Sequence, residues 1–418
     1  MTQTLILTVG GSLEPLIAAI EFHRPSQVIA VVSEKDPQTE KAGSYIQLKE
    51  LAEKSKLPLA AFEELRVPTD NLDVVFQRCL ERLERATEPV AIDYSGGTKS
   101  MSAGVMLAAA ALPEKVAHVT VVAGPRRDLV KVTIGSEAQP VVLESVRDRD
   151  RHRLAQNHLA TFAYRSAEAA LEGAQKTSLK RVRNLCRGFA AWDANDYAGA
   201  LTQLQGFDSF VAQWLPALRQ LAHDSRGASA TDRSHLLTAD PVRHALVIRD
   251  LAHAAERRAE AHRYDDAVLL YYRALEAVAQ WILRHEHGID ASAVTEEQNG
   301  RLGGYATETD RGVLVLGSAR AWSAIAHLNP TGAIREMVEP MQSGSGKQLA
   351  HLRNQSILAH GYIPLGRAEL DQIQGLASSV LATFESFVGA KRFENNKRVP
   401  RLPQLPRGEI LDSPEQSR

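Results

Sequence analysis

Two short apolar runs, Leu5-Ile6-Leu7 and Val90-Ala91-Ile92, each lead into a Gly-Gly turn and then into a helical pattern. The first turn reads Thr8-Val9-Gly10-Gly11-Ser12, and the second Asp93-Tyr94-Ser95-Gly96-Gly97-Thr98-Lys99-Ser100. Short apolar runs that end in such turns predict buried strands of an α/β sheet. Paired glycines let the backbone come close to a ligand. The helix start behind them carries N–H groups without partners inside the helix and favours anions, phosphate above all. Two such turns in one segment predict a phosphate-rich ligand across the sheet edge. The spacing is not that of a Walker A loop, because Thr98 separates Gly97 from Lys99, and neither turn has the form G-x-G-x-x-G.

Residues 1–145 alternate strand and helix patterns. Strands are expected at Thr4–Val9, Gln27–Val32, Pro89–Asp93, Val116–Ala123 and Leu129–Ile134, with a less regular one at Leu57–Leu65. In Asn71–Arg85 the set Leu72, Val75, Phe76, Cys79, Leu80 and Leu83 follows helical spacing, with Thr69 or Asp70 as the expected N-cap. Such alternation predicts a mostly parallel, doubly wound sheet. Ligands of these sheets bind beyond the carboxyl ends of the strands, where both Gly-Gly turns fall.

From Val146 the pattern is almost wholly helical, beginning with the alternating charges of Arg147–Arg153 as a solvated helix start or hinge. The fold class is therefore an α/β Rossmann-like N-terminal domain followed by an all-α C-terminal region. The expected divisions are 1–145, a helical connector at 146–240, an all-α domain at 241–392 and a disordered tail at 393–418, rich in Pro, Arg and Asn. Loops are expected at 224–240, 299–310 and 342–346, with a helix break at His262-Arg263-Tyr264. Trp192-Asp193-x-x-Asp196-Tyr197 has the look of a helix-pair repeat, but it occurs as a single copy.

The net charge is −1, so any nucleic acid contact has to come from a local basic patch. The two cysteines, Cys79 and Cys186, are far apart in sequence; they point to a reducing compartment and make neither a disulfide framework nor a cysteine zinc site. The N-terminus has a strand pattern instead of a signal peptide, and no run approaches the ~18 apolar residues of a membrane span. A cytoplasmic location follows as the expectation. His285-Glu286-His287 is not expected to hold a metal, because adjacent helical residues point apart. Tyr271, Tyr272 and Trp281 are expected in the core and not as platforms for bases.

In the C-terminal region Arg353-Asn354-Gln355-Ser356-Ile357-Leu358-Ala359-His360 separates Arg and His by seven positions. On a helix that spacing places both on one face, two turns apart. Histidine suits proton transfer near neutral pH, and arginine stabilises an anionic phosphate in the transition state. The pair suits metal-free RNA cleavage, in which the RNA's own 2′-hydroxyl attacks the neighbouring phosphate. Six Arg/His pairs with four to six intervening residues occur in the chain, against roughly four expected by chance. Context therefore has to select among them.

The strand-Gly-Gly-Ser turn and the later Asp-Tyr-Ser-Gly-Gly-Thr-Lys-Ser-Met turn resemble CARF domains, the CRISPR-associated Rossmann folds that sense cyclic oligoadenylates made by type III CRISPR complexes. The resemblance covers residues 1–145. It implies a homodimer with one cyclic ligand on its two-fold axis. Gly10, Gly11 and Ser12 would line that ligand from one loop, and Ser95, Gly96, Gly97, Thr98 and Lys99 from the other, with Lys99 offsetting phosphate charge. The context of Arg353, Asn354 and His360 resembles the R-N-x5-H form of HEPN ribonucleases, all-α domains that dimerise to build the active site. The segments around Tyr264-Asp265-Asp266-Ala267 and Tyr272-Arg273-Ala274-Leu275-Glu276 resemble their helical hairpin. Together the resemblances imply a cyclic oligoadenylate-activated, metal-independent single-stranded RNA endoribonuclease of type III CRISPR defence, with no cofactor. The alternative is a cyclic oligoadenylate-sensing interaction protein without catalysis of its own. Ring size, base preference, cleavage of the ring itself and the role of residues 151–240 stay open.

Overall fold

The computed structural model describes residues 4–35, 40–123, 126–127, 131–132, 137–140, 144–222 and 237–412. The chain divides into two compact units, residues 1–150 and 151–418.

The first unit is built on a six-stranded sheet. Its strands are β1 (Thr4–Thr8), β2 (Gln27–Ser33), β3 (Phe62–Val67), β4 (Val90–Asp93), β5 (Val116–Ala123) and β6 (Glu137–Pro140), in the order β3-β2-β1-β4-β5-β6. All neighbours are parallel except β5 and β6, which are antiparallel. β1, β2 and β4 are mainly apolar because alternate residues serve opposite cores. Ile6, Ile29 and Ile92 pack with α3 (Leu72–Glu84) and α4 (Lys99–Ala111) on one face. Leu5, Leu7, Val28 and Ala30 pack with α1 (Glu14–His23) and α2 (Leu48–Ser55) on the other. Helices on both faces are what a doubly wound sheet requires. Gly104 lets α4 lie against α3, since a Cβ there would stand 2.5 Å from Val75 Cγ1.

Three local expectations change here. The helix at Leu72 is capped by Asn71, whose side chain accepts from Val74 N at 3.1 Å, and not by Thr69 or Asp70. Of the strand expected at Leu129–Ile134, only Lys131–Val132 is described, paired antiparallel with Arg126–Arg127; the remainder lies outside the described residues. The less regular strand begins at Phe62, because Leu59–Ala61 forms a 3-10 turn.

The second unit is helical and has two cores. The first is formed by helices at Glu144–Leu159 (α5), Tyr164–Ala170 (α6), Thr177–Asp193 (α7), Tyr197–Leu204 (α8) and Leu215–Leu221 (α9). The second is formed by α10 (Pro241–Glu260), α11 (Tyr264–His287), α12 (Ser318–Leu328), α13 (Ala333–Gln342), α14 (Gly344–Gln355) and α15 (Arg367–Ala390). Helix α10 belongs to both: Leu246 lies in the first core, Ala245 and Ile248 in the second. Its fully buried Asp250 accepts from Trp192 Nε1 at 3.1 Å and from the Tyr197 hydroxyl at 3.0 Å, which explains the Trp192/Tyr197 pattern as a clamp on α10.

The break at His262-Arg263-Tyr264 separates α10 from α11, with His262 at a φ of 59°. The other expected loops are displaced. The loop at 224–240 falls mostly on residues 223–236, outside the described residues. Residues 299–310 include the end of a short helix, Glu296–Arg301, and part of a two-stranded ribbon. The Gly/Ser run at 342–346 is a joint and not a loop: Ser343 caps α14 directly after α13, and Gly346 packs so closely that a Cβ would meet the Met341 carbonyl oxygen at 2.0 Å.

The tail also departs from expectation. Residues 393–412 are ordered against the first helical core, with Leu402, Leu405 and Ile410 buried. The Tyr164 hydroxyl donates to the Pro406 carbonyl at 2.7 Å, and Trp214 Nε1 to the Gln404 carbonyl at 3.1 Å. Pro and Arg enrichment suggested disorder, but three apolar anchors and these donors offset the ordering cost. Cys79 and Cys186 are free and buried, and burial pushes both thiols up to about 12.

A histidine pair, His244 buried and His285 half-buried, joins α10 to α11. His244 Nδ1 lies 3.2 Å from His285 Nε2, and Trp281 packs against the His285 ring. Burial, reinforced by the mutual repulsion of the pair, pushes His244 down to about 3; burial and Arg284 push His285 down to about 4. Both rings are neutral in the fold, whereas the unfolded chain takes up protons near 6.5. The unfolded state therefore binds more protons below that pH, and stability falls as pH drops from about 6.5 toward 4. His244→Asn is expected to flatten this slope in urea unfolding measured across that range; an unchanged slope would show that other groups set it.

Candidate functional site

The order β3-β2-β1-β4-β5 reverses direction between β1 and β4, and both Gly-Gly turns emerge at the carboxyl ends of these two strands. That is the switch point at which open α/β sheets bind ligands. The turns pack backbone against backbone. A Cβ on Gly10 would stand 2.4 Å from Gly97 N, and one on Gly96 would stand 2.4 Å from the Thr8 carbonyl oxygen. Gly97 has a φ of 79°, a left-handed conformation suited to glycine. Thr8 Oγ1 closes the contact by donating to the Gly96 carbonyl at 2.8 Å.

This geometry divides the candidates. Gly10, Gly96 and Gly97 are consumed by the contact between the loops. Thr98 is the N-cap of α4: its Oγ1 accepts from Met101 N at 3.3 Å and donates to the Thr69 carbonyl at 2.6 Å. Ser95 Oγ accepts from Val122 N at 2.7 Å, and its N–H donates to Asp93 Oδ1 at 2.9 Å. The hydroxyls of Ser95 and Thr98 thus serve the fold. Gly11 is exposed with nothing near its Cβ position, and Ser12 is half-buried beside it. Lys99 is exposed at the start of α4. These three remain the candidates for contact with an anion, which the start of a helix such as α4 favours.

Under the turns lies a buried polar chain that sequence reading missed. Asp93 Oδ2 accepts from Thr120 Oγ1 at 2.7 Å, and Thr120 Oγ1 is 2.8 Å from His23 Nε2. Burial raises the Asp93 carboxyl despite these donors; burial, then nearby His118, lowers His23. The chain ties α1 and β5 to the start of the second turn. Nothing in the spacing of His23, Asp93 and Thr120 marks them as neighbours.

In the helical unit the expectation that Arg353 and His360 share one helix is overturned. Helix α14 ends at Gln355, and Ser356 has extended backbone with a ψ of 135°. Residues 356–363 form a compact loop closed by Ile357 N donating to the Ile363 carbonyl at 3.1 Å and Ile363 N to the Gln355 carbonyl at 3.0 Å. Gly361 passes beneath the helix end, where a Cβ would meet the Gln355 carbonyl oxygen at 2.1 Å. Arg353 is in the last turn of α14; its guanidinium lies 5.2 Å from the centre of the Tyr272 ring and donates to Asn354 Oδ1 at 2.9 Å. His360 is exposed in the loop.

Asp265, in the first turn of α11, holds both ends of this loop. Its Oδ1 accepts from Ser356 Oγ at 2.6 Å and its Oδ2 from Leu365 N at 2.7 Å. The sequence signal was ambiguous, since acids in the first turn of a helix are common for dipole reasons alone. Tyr271 and Trp281 are core residues, whereas Tyr272 is half-buried under Arg353. His285, Glu286 and His287 have separate partners in His244, Lys391 and Asn329. Among the described residues no group of three or more His, Cys, Asp or Glu side chains is arranged to hold a metal ion, and no helix is long and apolar enough to cross a membrane.

Comparison with known proteins agrees with this division of the chain. Residues 5–132 match the family model of the Csa3 CRISPR-associated Rossmann-like domain, and residues 238–383 match that of the Csm6 HEPN domain. No curated protein sequence matches the chain. Among solved structures, Enterococcus italicus Csm6 bound to cyclic hexa-2′-fluoro-hexa-dAMP is similar in fold, with 12% identity, a TM-score of 0.60, and coverage of 94% of this chain and 96% of that one. Can2 from Sulfobacillus thermosulfidooxidans in complex with cyclic tetra-adenylate matches at 14% identity and a TM-score of 0.24, covering 62% and 68%.

Two outcomes are expected from the geometry. Gly10→Ala overpacks the loop contact and should cost about 1–3 kcal/mol, while Gly11→Ala, pointing into open space, should leave the melting temperature near wild type. Asp265→Ala should release the His360 loop with loss of about 3–6 kcal/mol for two charge-assisted bonds; amide exchange at residues 356–363 reads this directly, and unchanged protection would refute the clamp.

The two matches give the chain the domain order of a CRISPR-associated Rossmann-like domain followed by a HEPN domain.

Proposed function

We propose that this chain cleaves single-stranded RNA without a metal ion, in response to a cyclic oligoadenylate bound by the Gly-Gly turns. The observation that carries the reading is the pairing on one chain of a CRISPR-associated Rossmann-like domain, with its two turns meeting at the sheet's switch point, and a HEPN domain bearing Arg353 and His360. In the sensor, Gly11, Ser12, Lys99 and the N–H groups opening α4 hold the ring's phosphates. In the effector, His360 takes the proton from an RNA 2′-hydroxyl. The freed oxygen attacks the adjacent phosphorus, and Arg353 offsets the charge that builds on the phosphoryl oxygens. The P–O bond to the next ribose breaks, that 5′-oxygen takes a proton, and the products end in a 2′,3′-cyclic phosphate and a 5′-hydroxyl. Asn354 and Tyr272 fix the Arg353 guanidinium.

The active unit in this reading is a homodimer. The loop carrying His360 exposes Ile357 (54%), Leu358 (55%), Tyr362 (90%) and Ile363 (51%). Four large apolar side chains in one exposed loop are unusual for a free surface. A second copy presenting the same loop about a two-fold axis covers them and brings two Arg/His pairs together.

The test is cleavage of a fluorescent single-stranded RNA in EDTA, with and without cyclic tetra- and hexa-adenylate. The hexa-adenylate is the first ring to try, because the E. italicus structure holds a six-membered analogue. Ring-dependent cleavage is expected, and Arg353→Ala and His360→Ala should each lower it by 100-fold or more, given contributions of roughly 10²–10⁴ for positioned acid–base groups. A ring-induced rise in melting temperature without cleavage would instead indicate a sensing protein with no catalysis of its own.

A further inference from the structure

We propose that the helical unit carries a second anion site, separate from the Arg353/His360 loop, which holds backbone phosphates of the single-stranded RNA substrate; this rests on the RNA-cleaving reading above. A cavity of about 510 Å³ lies where the turn between α5 and α6 and the end of α7 face the joint between α10 and α11. That is the volume range of small-ligand sites, roughly 300–1,000 Å³. Thr161, Arg165, Ser166, Asp193, Arg258 and Arg263 supply its polar lining.

The charge balance favours an anion. Asp193 is the only carboxylate among the residues lining this cavity, and two guanidiniums answer it. Arg257 Nε donates to Oδ1 at 2.9 Å, and Arg258 donates to Oδ2 at 2.8 Å and to Oδ1 at 3.3 Å. Arg263 pairs with Asp266 at 2.8 Å while its side chain stays 57% exposed. Arg165 is exposed and forms no ion pair among the described residues. The three guanidiniums of the lining (Arg165, Arg258, Arg263) thus meet Asp193 in the lining and Asp266 beside it, a surplus of one positive charge. The adjacent Arg407–Glu260 pair cancels itself.

The lining selects phosphate over base. Phe162 and Tyr164 are buried to 3% and 2% exposure, and the Arg407 guanidinium lies 4.6 Å from the centre of the Phe162 ring. No open aromatic face is left for a base, so recognition is of the sugar–phosphate backbone and is independent of sequence. A free nucleotide offers phosphate too, but position favours the RNA strand. Arg263 precedes α11 and stands two residues before Asp265, the residue that holds the His360 loop. Phosphates held at Arg165 and Arg263 therefore belong to a strand that continues toward the cleavage site.

The experiment uses the full-length protein and the double variant Arg165→Glu/Arg263→Glu, with the melting temperature as a folding control. Binding of a 2′-O-methyl single-stranded RNA, which cannot be cleaved, is measured by anisotropy across salt concentrations. Loss of two phosphate contacts should weaken binding at least tenfold and reduce the slope of log K against log salt by about 1.4, at about 0.7 per single-strand contact. KM for a long RNA should rise with kcat and ring activation unchanged, and Arg165→Lys/Arg263→Lys should retain binding. An unchanged salt slope and KM in the charge-reversed variant overturns the proposal. So does ATP stabilising the wild type but not the variant while RNA binding is equal, which would assign the cavity to a free nucleotide. If the wild type cleaves no RNA, the catalytic reading fails, and the anisotropy still decides whether the cavity holds a strand.

Discussion

The carboxylate of Asp265 is the interaction on which the shape of the segment after Arg353 depends. It takes one donor from each end of the segment 356–365 and so closes the loop that carries His360. Closing a flexible loop of that length costs about 2 kcal/mol, whereas two charge-assisted hydrogen bonds contribute about 3–6 kcal/mol together. The margin is enough to keep the loop formed with a surface that is otherwise unfavourable, four large apolar side chains facing water. A loop that holds its shape while exposing such groups is preorganised for a partner. The same clamp sets where His360 stands relative to Arg353, because no helix connects them.

The Rossmann-like unit solves a different problem with glycine. Gly10 lies so close to Gly97 N that it tolerates no side chain, and Gly97 itself has a left-handed backbone that disfavours one, so the two turns behave as one rigid piece at the edge between β1 and β4. In the proposed sensor, fixing the turns to each other lets Gly11, Ser12 and Lys99 meet a ligand without the cost of ordering a loop. The Asp93–Thr120–His23 chain beneath extends that rigidity across the sheet. A ring that fits one arrangement of this rigid edge in a dimer and not another would shift the balance between the two, which is all a switch requires.

What was legible in the sequence follows from which signals are local. Parallel strands buried on both faces read as unbroken apolar runs, so β1, β2, β4 and β5 and their turns were visible directly. Helical spacing and the turn at His262 marked α10 and α11. Signals that depend on distant partners were not visible. Asp265 looks like any acid in a first turn until Ser356 and Leu365 are seen to reach it from about a hundred residues away. The seven-position spacing of Arg353 and His360 read as helix because the local sequence does not reveal that Gly361 must pass under Gln355. The tail from 393 read as disordered on composition, but its three buried apolar residues find their partners on helices more than 150 residues upstream. Ser95 and Thr98 were expected to line a ligand, yet their hydroxyls are bonded to Val122 N, Met101 N and the Thr69 carbonyl within the fold.

Residues 151–222, whose role the sequence left open, acquire one from α10. That helix has no face given to solvent along its middle: Leu246 is in one core and Ala245 and Ile248 in the other, and Asp250 and Arg257 between them are buried and bonded to Trp192, Tyr197 and Asp193. An interior packed at crystal-like density transmits a displacement and does not absorb it. Removing one partner of a buried charged set costs several kcal/mol, so the connector and α10 move as one body. The body includes Gln404, which bonds Arg257, the His253 carbonyl and Glu256 at once. Helix α10 in turn packs along α11, the helix that carries both Asp265 and Tyr272. The connector and the tail together thus form the back wall against which the Arg353 and His360 elements are held, and the surplus positive charge at the α10–α11 joint sits on that same wall.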